Sequence, residues 1–303
     1  MKHLFLIKPA AGSRDHTKEY TAAITQACQS RGLDYQIQVS QAPGSCRQLT
    51  REAALTGESY RIYACGGDGT LQEVAQGAAG FPNVAITSYS GGSGNDFVRI
   101  FDDPQAFSQI DRLLDAQQVT FDMIDCNGQL ALNICSVGLD ARIGTGIASY
   151  KRFPFLHGVR AYLVSTVVNV CRGVSEHYTV DLEGEVFDGE ETFVCVCNGR
   201  FYGGGFNPVR DADPTDGILD VVLVKKVSRW LIPFIIGKYK NGRYEELPKL
   251  ATYRQVKGLT IHCHDHATAV NLDGELMTAQ DVTMKIADKK VNFFYPKGLV
   301  WEV

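Results

Sequence analysis

The sequence predicts an α/β protein: a parallel sheet with helices on both faces, joined to a second, mostly antiparallel β domain. Three observations predict it. Apolar runs of strand length alternate with helix-patterned runs through the first third of the chain, the rhythm of a parallel sheet. From about Phe121 the texture changes to short strand-like runs separated by turn residues, the signature of antiparallel β structure. The chain of 303 residues is 45% hydrophobic and 21% charged, enough to bury the core of one large domain or two ordinary ones.

The elements follow in order. His3 to Ile7 ("HLFLI") is a short buried strand, and Thr17 to Gly32 has helical spacing ending at a glycine. Tyr35 to Val39 ("YQIQV") alternates as a strand does, and Ser45 to Gly57 is helical again. Tyr60 to Cys65 is the next strand, Thr70 to Gly80 the next helix, and Asn83 to Ser90 the strand after it. Beyond Phe121, the runs "QLALNICSVG", "HYTVDLEG", "TFVCVCNG", "ILDVVLVKKV" and "LTIHCH" supply the second domain's strands. The apolar tail "KKVNFFYPKGLVWEV" is long enough to return to the first domain. The expected division is therefore 1–120 plus 291–303 for the α/β domain and 121–290 for the β domain.

Composition narrows the function. A net charge of −4 gives no electrostatic case for nucleic acid. Nine cysteines, an odd number with no C-x-x-C pair, and no signal-peptide pattern fit reduced thiols in a cytoplasmic protein. No apolar run has the length of a membrane span, so contact with a bilayer is expected to be peripheral.

The chemistry concentrates in two loops. In "YACGGDGTLQE" (Tyr63 to Glu73) a strand runs into three glycines and an aspartate, with a helix expected from near Thr70. Glycines allow positive φ and close approach of backbone to a ligand. The helix start offers unpaired N–H groups and partial positive charge, a phosphate site. Asp68 would repel phosphate unless a cation lay between, which suggests a nucleotide with Mg²⁺ nearby. The alternative is a tight turn with an aspartate cap. No Gly-Lys-Ser/Thr follows, so the loop is not a Walker A motif. A second loop, "YSGGSGNDFVR" (Tyr89 to Arg99), again puts glycines and an aspartate after a strand. A doubly wound sheet turns the carboxyl ends of its strands toward one crevice, so both loops are expected to face one ligand.

"GGDGTLQE" and "GGSGNDF" resemble the paired motifs of the diacylglycerol kinase catalytic domain family, the bacterial soluble lipid kinases. The resemblance extends along nearly the whole chain. "IKPAAG" (Ile7 to Gly12) is similar to the family's Asn-Pro-x-Ala/Ser-Gly, with Lys8 in place of the asparagine. "SQAPGS" (Ser40 to Ser45) stands where the family has Thr-x-x-x-Gly, and "CNGRFYGGG" (Cys197 to Gly205) looks like its Asn-Gly-x-Tyr-x-Gly-Gly. "DPTDGILDVVLV" (Asp213 to Val224) resembles its Asp-Gly-x-Leu-Asp signature, and "VNLDGE" (Val270 to Glu275) its Asp-Gly-Glu. The implied fold is a Rossmann-like nucleotide-binding domain of the NAD kinase/diacylglycerol kinase type with a second β-sandwich domain, and ATP in the cleft between them.

The resemblance implies roles residue by residue. Pro9 and Gly12 in the first loop, with Gly66, Gly67, Asp68, Gly69 and Thr70, would line the nucleotide's phosphates. Ser40 and Ser93 would donate hydroxyls to it, with Asp96 beside them. Glu73 and Asn95 order the loops, or merely cap helices. Asp213, Asp216 and the Ile218 carbonyl match the family's structural Mg²⁺ site, and their hard oxygens suit that ion. The alternative is an acidic turn before a strand. In "LDGE", Glu275 is implied as proton acceptor and Asp273 as an essential neighbour able to bind Mg²⁺. Without the resemblance this is a β-turn, since Asp-Gly is a strong hairpin signal.

The implied activity is transfer of the γ-phosphate of ATP to a lipid hydroxyl at the inner face of the membrane, with diacylglycerol the first choice. The NAD kinases, which also carry Gly-Gly-Asp-Gly-Thr, and a non-catalytic nucleotide- or lipid-binding regulator are the alternatives. A homodimer is left open. "HCHDH" puts His262, His264 and His266 on one face if it is a strand; a solvated or partner-facing strand is expected, zinc the alternative. Tyr150 to Val164 and Arg229 to Lys240 mix basic and aromatic residues. They suit either a membrane surface or helices packed on the sandwich.

Overall fold

Five parallel strands carry the first unit. β1 (Lys2–Ile7), β2 (Tyr35–Val39), β3 (Tyr60–Gly66) and β4 (Val84–Ser90) alternate with α1 (Thr17–Ser30), α2 (Ser45–Leu55) and α3 (Asp68–Ala78). The sheet order is β2-β1-β3-β4-β17-β5, with β17 (Val291–Pro296) parallel to β4 and β5 (Ala116–Phe121) antiparallel to β17. β1 and β3 are buried along almost their whole length, as strands covered on both faces must be. α4 (Ile110–Leu114) precedes β5.

The computed structural model describes residues 1–9, 15–92, 94–143, 168–170 and 173–300. It divides into a unit of Met1–Met123 with Ala287–Val303 and a unit of Ile124–Ile286. The apolar tail thus joins the first unit's sheet, where Val291, Phe293 and Phe294 are buried. Gly12, Ser93 and the segment from Tyr150 to Val164 lie outside the described residues.

The second unit is a curled antiparallel sheet. Its strands are β6 (Ile124–Cys126), β7 (Gln129–Ala131), β8 (Ile134–Gly138), β9 (Glu176–Leu182), β10 (Glu185–Cys197), β11 (Leu219–Lys225), β12 (Ala251–Val256), β13 (Gly258–Cys263), β14 (Thr268–Leu272), β15 (Glu275–Ala279) and β16 (Asp281–Ile286). β10 organises it. Its first half pairs with β9 and its second half with β8 and β11, and the register with β11 shifts between Glu191 and Phe193. A bulge of this kind bends a long strand from one layer into the next. The inward residues Tyr178, Val180, Val194, Val196, Ile261 and Val282 are among those that form one apolar core. A second cluster lies under α5 (Ile232–Lys240), where Cys195, Val222 and Tyr239 meet Ile232 and Ile235.

Among the described residues no helix is long and apolar enough to cross a membrane. The eight described cysteines are free and buried. Burial pushes most of their thiols up, Cys28 to about 11 and Cys263 to about 12.

Candidate active site

In the first unit β1 lies between β2 and β3. The chain therefore winds to opposite sides from β1, and the crevice outside the carboxyl ends of β1 and β3 is a topological switch point, where open α/β sheets bind ligands. The Lys8–Pro9 stretch leaves β1 there, and "GGDG" leaves β3 there.

The turn into α3 is tighter than sequence patterning predicts. β3 continues to Gly66 and α3 begins at Asp68 rather than near Thr70. Gly67 is the helix cap with φ −106°, so positive φ is not what requires glycine there. Close approach is the reason. A Cβ on Gly67 would lie 3.3 Å from the Gly92 Cα, and a Cβ on Gly92 would lie 2.6 Å from the Gly67 Cα. The two glycine loops pass each other backbone to backbone.

Asp68 locks that passage. Its Oδ1 accepts the Asp96 N–H at 2.6 Å and the Phe97 N–H at 3.4 Å. A Cβ on Gly94 would fall 2.7 Å from the Asp68 Oδ2, so the second loop wraps the carboxylate with no room for a side chain. Burial raises the Asp68 carboxyl above its ordinary range, against the pull of these N–H donors. Asn95, at φ 50°, donates Nδ2–H to the Gly92 carbonyl at 2.9 Å. Arg99 reaches back to the Gly94 carbonyl at 3.1 Å and pairs with Asp96 at 3.3 Å. Thr70 is buried, whereas a Cβ on Gly69 would meet nothing within 4 Å. The approach to the first turn of α3 is thus open at Gly69.

Glu73 is buried and joins two further segments. Its Oε1 accepts from Lys8 Nζ at 3.0 Å, and its Oε2 accepts the Cys46 N–H at 3.1 Å, in the first turn of α2. It therefore caps a neighbouring helix rather than its own. Lys8 supplies the countercharge, which accounts for a lysine after β1. The Ser40 N–H donates to the Ile7 carbonyl at 2.8 Å, and its hydroxyl donates to the Ala42 carbonyl at 3.2 Å.

A stability test separates contact from conformation. Gly92→Ala is expected to cost the first unit about 1–3 kcal/mol, as overpacking does. Gly69→Ala, in open space inside a helix, is expected to leave Tm unchanged or raise it slightly. Thermal melts of both variants check this; equal Tm values would contradict the loop–loop packing.

In the second unit, "LDGE" forms the hairpin between β14 and β15. Asp273 at φ 50° and Gly274 at φ 95° make the two-residue turn, the left-handed pair typical of such hairpins. The Asp273 carboxylate turns inward. Oδ2 accepts the N–H groups of Leu132 at 2.6 Å and Asn133 at 3.0 Å, and Oδ1 accepts that of Ile134 at 2.7 Å. Asn198 extends the network, donating Nδ2–H to the Leu132 carbonyl at 2.7 Å. Asn133 donates to the Phe201 carbonyl at 2.6 Å. The "LDGE" turn and the "CNGRFYGGG" loop are thus both tied to Leu132–Ile134, and Glu275 stands exposed beside them as the first residue of β15.

Asp213 and Asp216 sit in the turn before β11. Each Oδ1 is bonded within its own loop, Asp213 to the Thr215 N–H at 2.9 Å and Asp216 to the Ile218 N–H at 2.8 Å. The donor set of two carboxylates and a carbonyl is hard oxygen throughout and chemically fits Mg²⁺.

Sequence reasoning did not single out Asp140, Tyr202 and Tyr239. The Tyr202 hydroxyl donates to Asp140 Oδ1 at 2.9 Å and lies 2.9 Å from the Tyr239 hydroxyl. Burial raises the Asp140 carboxyl and both tyrosines. Asp140 and Tyr239 line a cavity of about 60 Å³ that is otherwise almost wholly apolar, with Phe193, Phe206, Ile235 and Leu247 among its walls. Just before and at the start of α5, Trp230, Leu231 and Phe234 are 80%, 46% and 76% exposed. That segment therefore packs on the sandwich with one face and offers aromatics to solvent with the other.

Comparison with known proteins gives a consistent picture. The family model for the diacylglycerol kinase catalytic domain matches residues 2–126. The model for the YegS C-terminal NAD kinase beta sandwich-like domain matches residues 133–295. A protein of Staphylococcus carnosus named "Putative lipid kinase" is 25% identical over 283 residues, covering 91% of this chain and 90% of that protein. The fold is shared with a diacylglycerol kinase structure from Bacillus anthracis, at TM-score 0.70 and 20% identity over 99% of this chain and 98% of that one. It is also shared with an ATP-bound NAD kinase from Archaeoglobus fulgidus, at TM-score 0.51 and 12% identity, with 98% and 94% covered.

Proposed function

Because the chain belongs to the lipid kinase family that joins a diacylglycerol kinase catalytic domain to a YegS C-terminal NAD kinase beta sandwich-like domain, we propose that it transfers the γ-phosphate of ATP to a lipid hydroxyl, diacylglycerol being the first candidate. The observation that carries this reading is the Asp68 lock. It holds two glycine loops together at the switch point and leaves the start of α3 open to an anion.

In this reading Gly66, Gly67, Gly69 and the first turn of α3 bind the triphosphate. Pro9, Ser40, Asn95 and Asp96 shape the surrounding loops, as do Gly12 and Ser93 beyond the described residues. Asp68, Glu73 and buried Thr70 position loops rather than touch phosphate. Asp213, Asp216 and the Ile218 carbonyl would hold Mg²⁺, which neutralises negative charge near its ligands. The lipid hydroxyl oxygen bonds to the γ-phosphorus, the bond from phosphorus to the β–γ bridging oxygen breaks, and ADP leaves. The hydroxyl proton passes to the Glu275 carboxylate. Asp273, with both oxygens held by backbone N–H groups, is a positioning residue for that turn.

The exposed aromatic side chains of Trp230, just before α5, and Phe234, within it, support a lipid acceptor presented at the inner face of the membrane. Arg229, next to Trp230 in the chain, favours an anionic surface, at about 1 kcal/mol for such a cation. Trp230→Ala with Phe234→Ala is expected to reduce binding to anionic vesicles at least tenfold, since burying one such side chain contributes about 1.5–3 kcal/mol. Tm should not change, because both rings are exposed. Vesicle sedimentation checks this, and undiminished binding would remove α5 from the membrane contact.

The acceptor is found by offering labelled ATP with diacylglycerol, phosphatidylglycerol, a sphingoid base or NAD, with and without EDTA. The reading predicts label in a lipid only, lost with EDTA and restored by Mg²⁺. Label in NAD favours the NAD kinase alternative, and ATP binding with no product favours a regulator.

A further inference from the structure

The solvent face of the second unit carries a cluster that phosphoryl transfer does not use. On β9 the inward residues Tyr178, Val180 and Leu182 are buried, so alternation turns His177, Thr179 and Asp181 outward. Across the pairings, Thr179 stands opposite Asp188 of β10 on one side and His262 of β13 on the other. The chain then leaves β13, and the His264 N–H bonds to the His177 carbonyl at 3.1 Å. That bond pins the His264 ring over the same spot, its centroid 4.5 Å from that of His177.

The expected row of His262, His264 and His266 on one strand does not form. β13 ends at Cys263, and only His262 lies within it. Tertiary structure substitutes different partners. Asp188 Oδ1 lies 3.2 Å from His177 Nε2 and 3.6 Å from His264 Nε2. The ligand atoms of His177, Asp188 and His264 all fall within 4.8 Å of one another. Bonds of about 2.0–2.2 Å meeting at a tetrahedral angle separate neighbouring ligand atoms by roughly 3.3–3.5 Å. Both carboxylate–imidazole spacings are near that value already, and small side-chain rotations close the third. His262 backs the cluster: its ring stands edge-on to His264 at 4.8 Å, and its Nδ1 is held by Asp281 at 2.6 Å.

We propose that His177, His264 and Asp188 form a surface site for one divalent transition metal of the zinc class. Two imidazoles and a carboxylate are a donor set for zinc, not for Mg²⁺, whose ligands are oxygens. Water completes the coordination shell. The present hydrogen bonds show what binding displaces. Thr179 donates its hydroxyl proton to Asp188 Oδ1 at 2.7 Å and accepts from His264 Nε2 at 2.7 Å. His264 therefore carries a proton on Nε2, as does His177, whose Nε2 donates to Asp188 Oδ1 at 3.2 Å; on metal binding each Nε2 lone pair goes to the metal, and each ring keeps its proton on Nδ1. The bound ion ties β9, β10 and the turn after β13 together on the solvent face of the sheet.

Isothermal titration of Zn²⁺ into the metal-free full chain, in excess Mg²⁺, tests the site. The expected result is one equivalent bound with micromolar affinity and a Tm that rises with Zn²⁺. His264→Ala and Asp188→Ala should each weaken binding at least tenfold, and His266→Ala should leave it unchanged. All three positions are exposed, so the variants should melt like the parent without metal. Absence of saturable Zn²⁺ binding, or binding undiminished in both His264→Ala and Asp188→Ala, would overturn the assignment. Neither result bears on the lipid kinase reading, because the cluster shares no residue with its site.

Discussion

Glu275→Gln is expected to lower lipid phosphorylation by about 10²–10⁴, the contribution a positioned base typically makes. A lipid hydroxyl is a poor nucleophile at neutral pH and sheds its proton as the bond to phosphorus forms. Glutamine keeps the size of glutamate and some hydrogen bonding but does not accept that proton. Glu275 is exposed at the start of β15, so the exchange should leave Tm unchanged, and ATP affinity should also hold. Steady-state rates with a lipid acceptor, beside ATP titration and a thermal melt, check all three. Turnover near that of the parent would remove Glu275 from proton transfer.

Asp273→Ala is expected to damage the fold rather than the chemistry alone. The substitution strips partners from the N–H groups of Leu132, Asn133 and Ile134 together. Hydrogen bonds to a charged group contribute about 1.5–3 kcal/mol each, though they do not add fully. A loss of about 3 kcal/mol or more corresponds to a Tm drop of roughly 6–12 °C for a unit of this size. Asp273→Asn, which keeps an acceptor and tolerates positive φ, should fall between. If Asp273→Ala instead melts normally and changes the Mg²⁺ requirement, Asp273 belongs to an ion site and its inward bonds are dispensable.

Asp68, Asp273 and Glu73 show where sequence and structure part company. That glycine loops end β3 and β4 was legible, because a buried strand followed by clustered glycines is a local signal. So was the Asp273–Gly274 hairpin. The partners of the acidic side chains were not. Asp68 finds the N–H of Asp96 in the next loop, and Asp273 finds donors on the far side of the second unit's sequence, at Leu132 to Ile134. Glu73 reaches Lys8 and Cys46. Only the assembled sheets bring these groups together, and a motif records that an aspartate is present without recording which way it faces.

The same limit applies to the histidines. Spacing by two suggested a strand face in "HCHDH", yet β13 stops at Cys263 and the partners His177 and Asp188 come from the β9–β10 hairpin. Gly67 fails differently. Glycine was legible there, but positive φ was the wrong reason for it: the loops touch backbone to backbone, and nothing local announces a neighbour 25 residues on. The trio of Asp140, Tyr202 and Tyr239 left only a weak trace, an aspartate two residues after the apolar strand β8.

Phosphoryl transfer to a lipid tests the kinase activity directly. The full chain is incubated with γ-labelled ATP, Mg²⁺ and a total bacterial lipid extract, in parallel with Glu275→Gln, and the organic phase is resolved. Label entering a phospholipid with the parent, and at least about a hundredfold less with Glu275→Gln, is the predicted result. No label in any lipid, from protein that binds ATP and melts cooperatively, would contradict it.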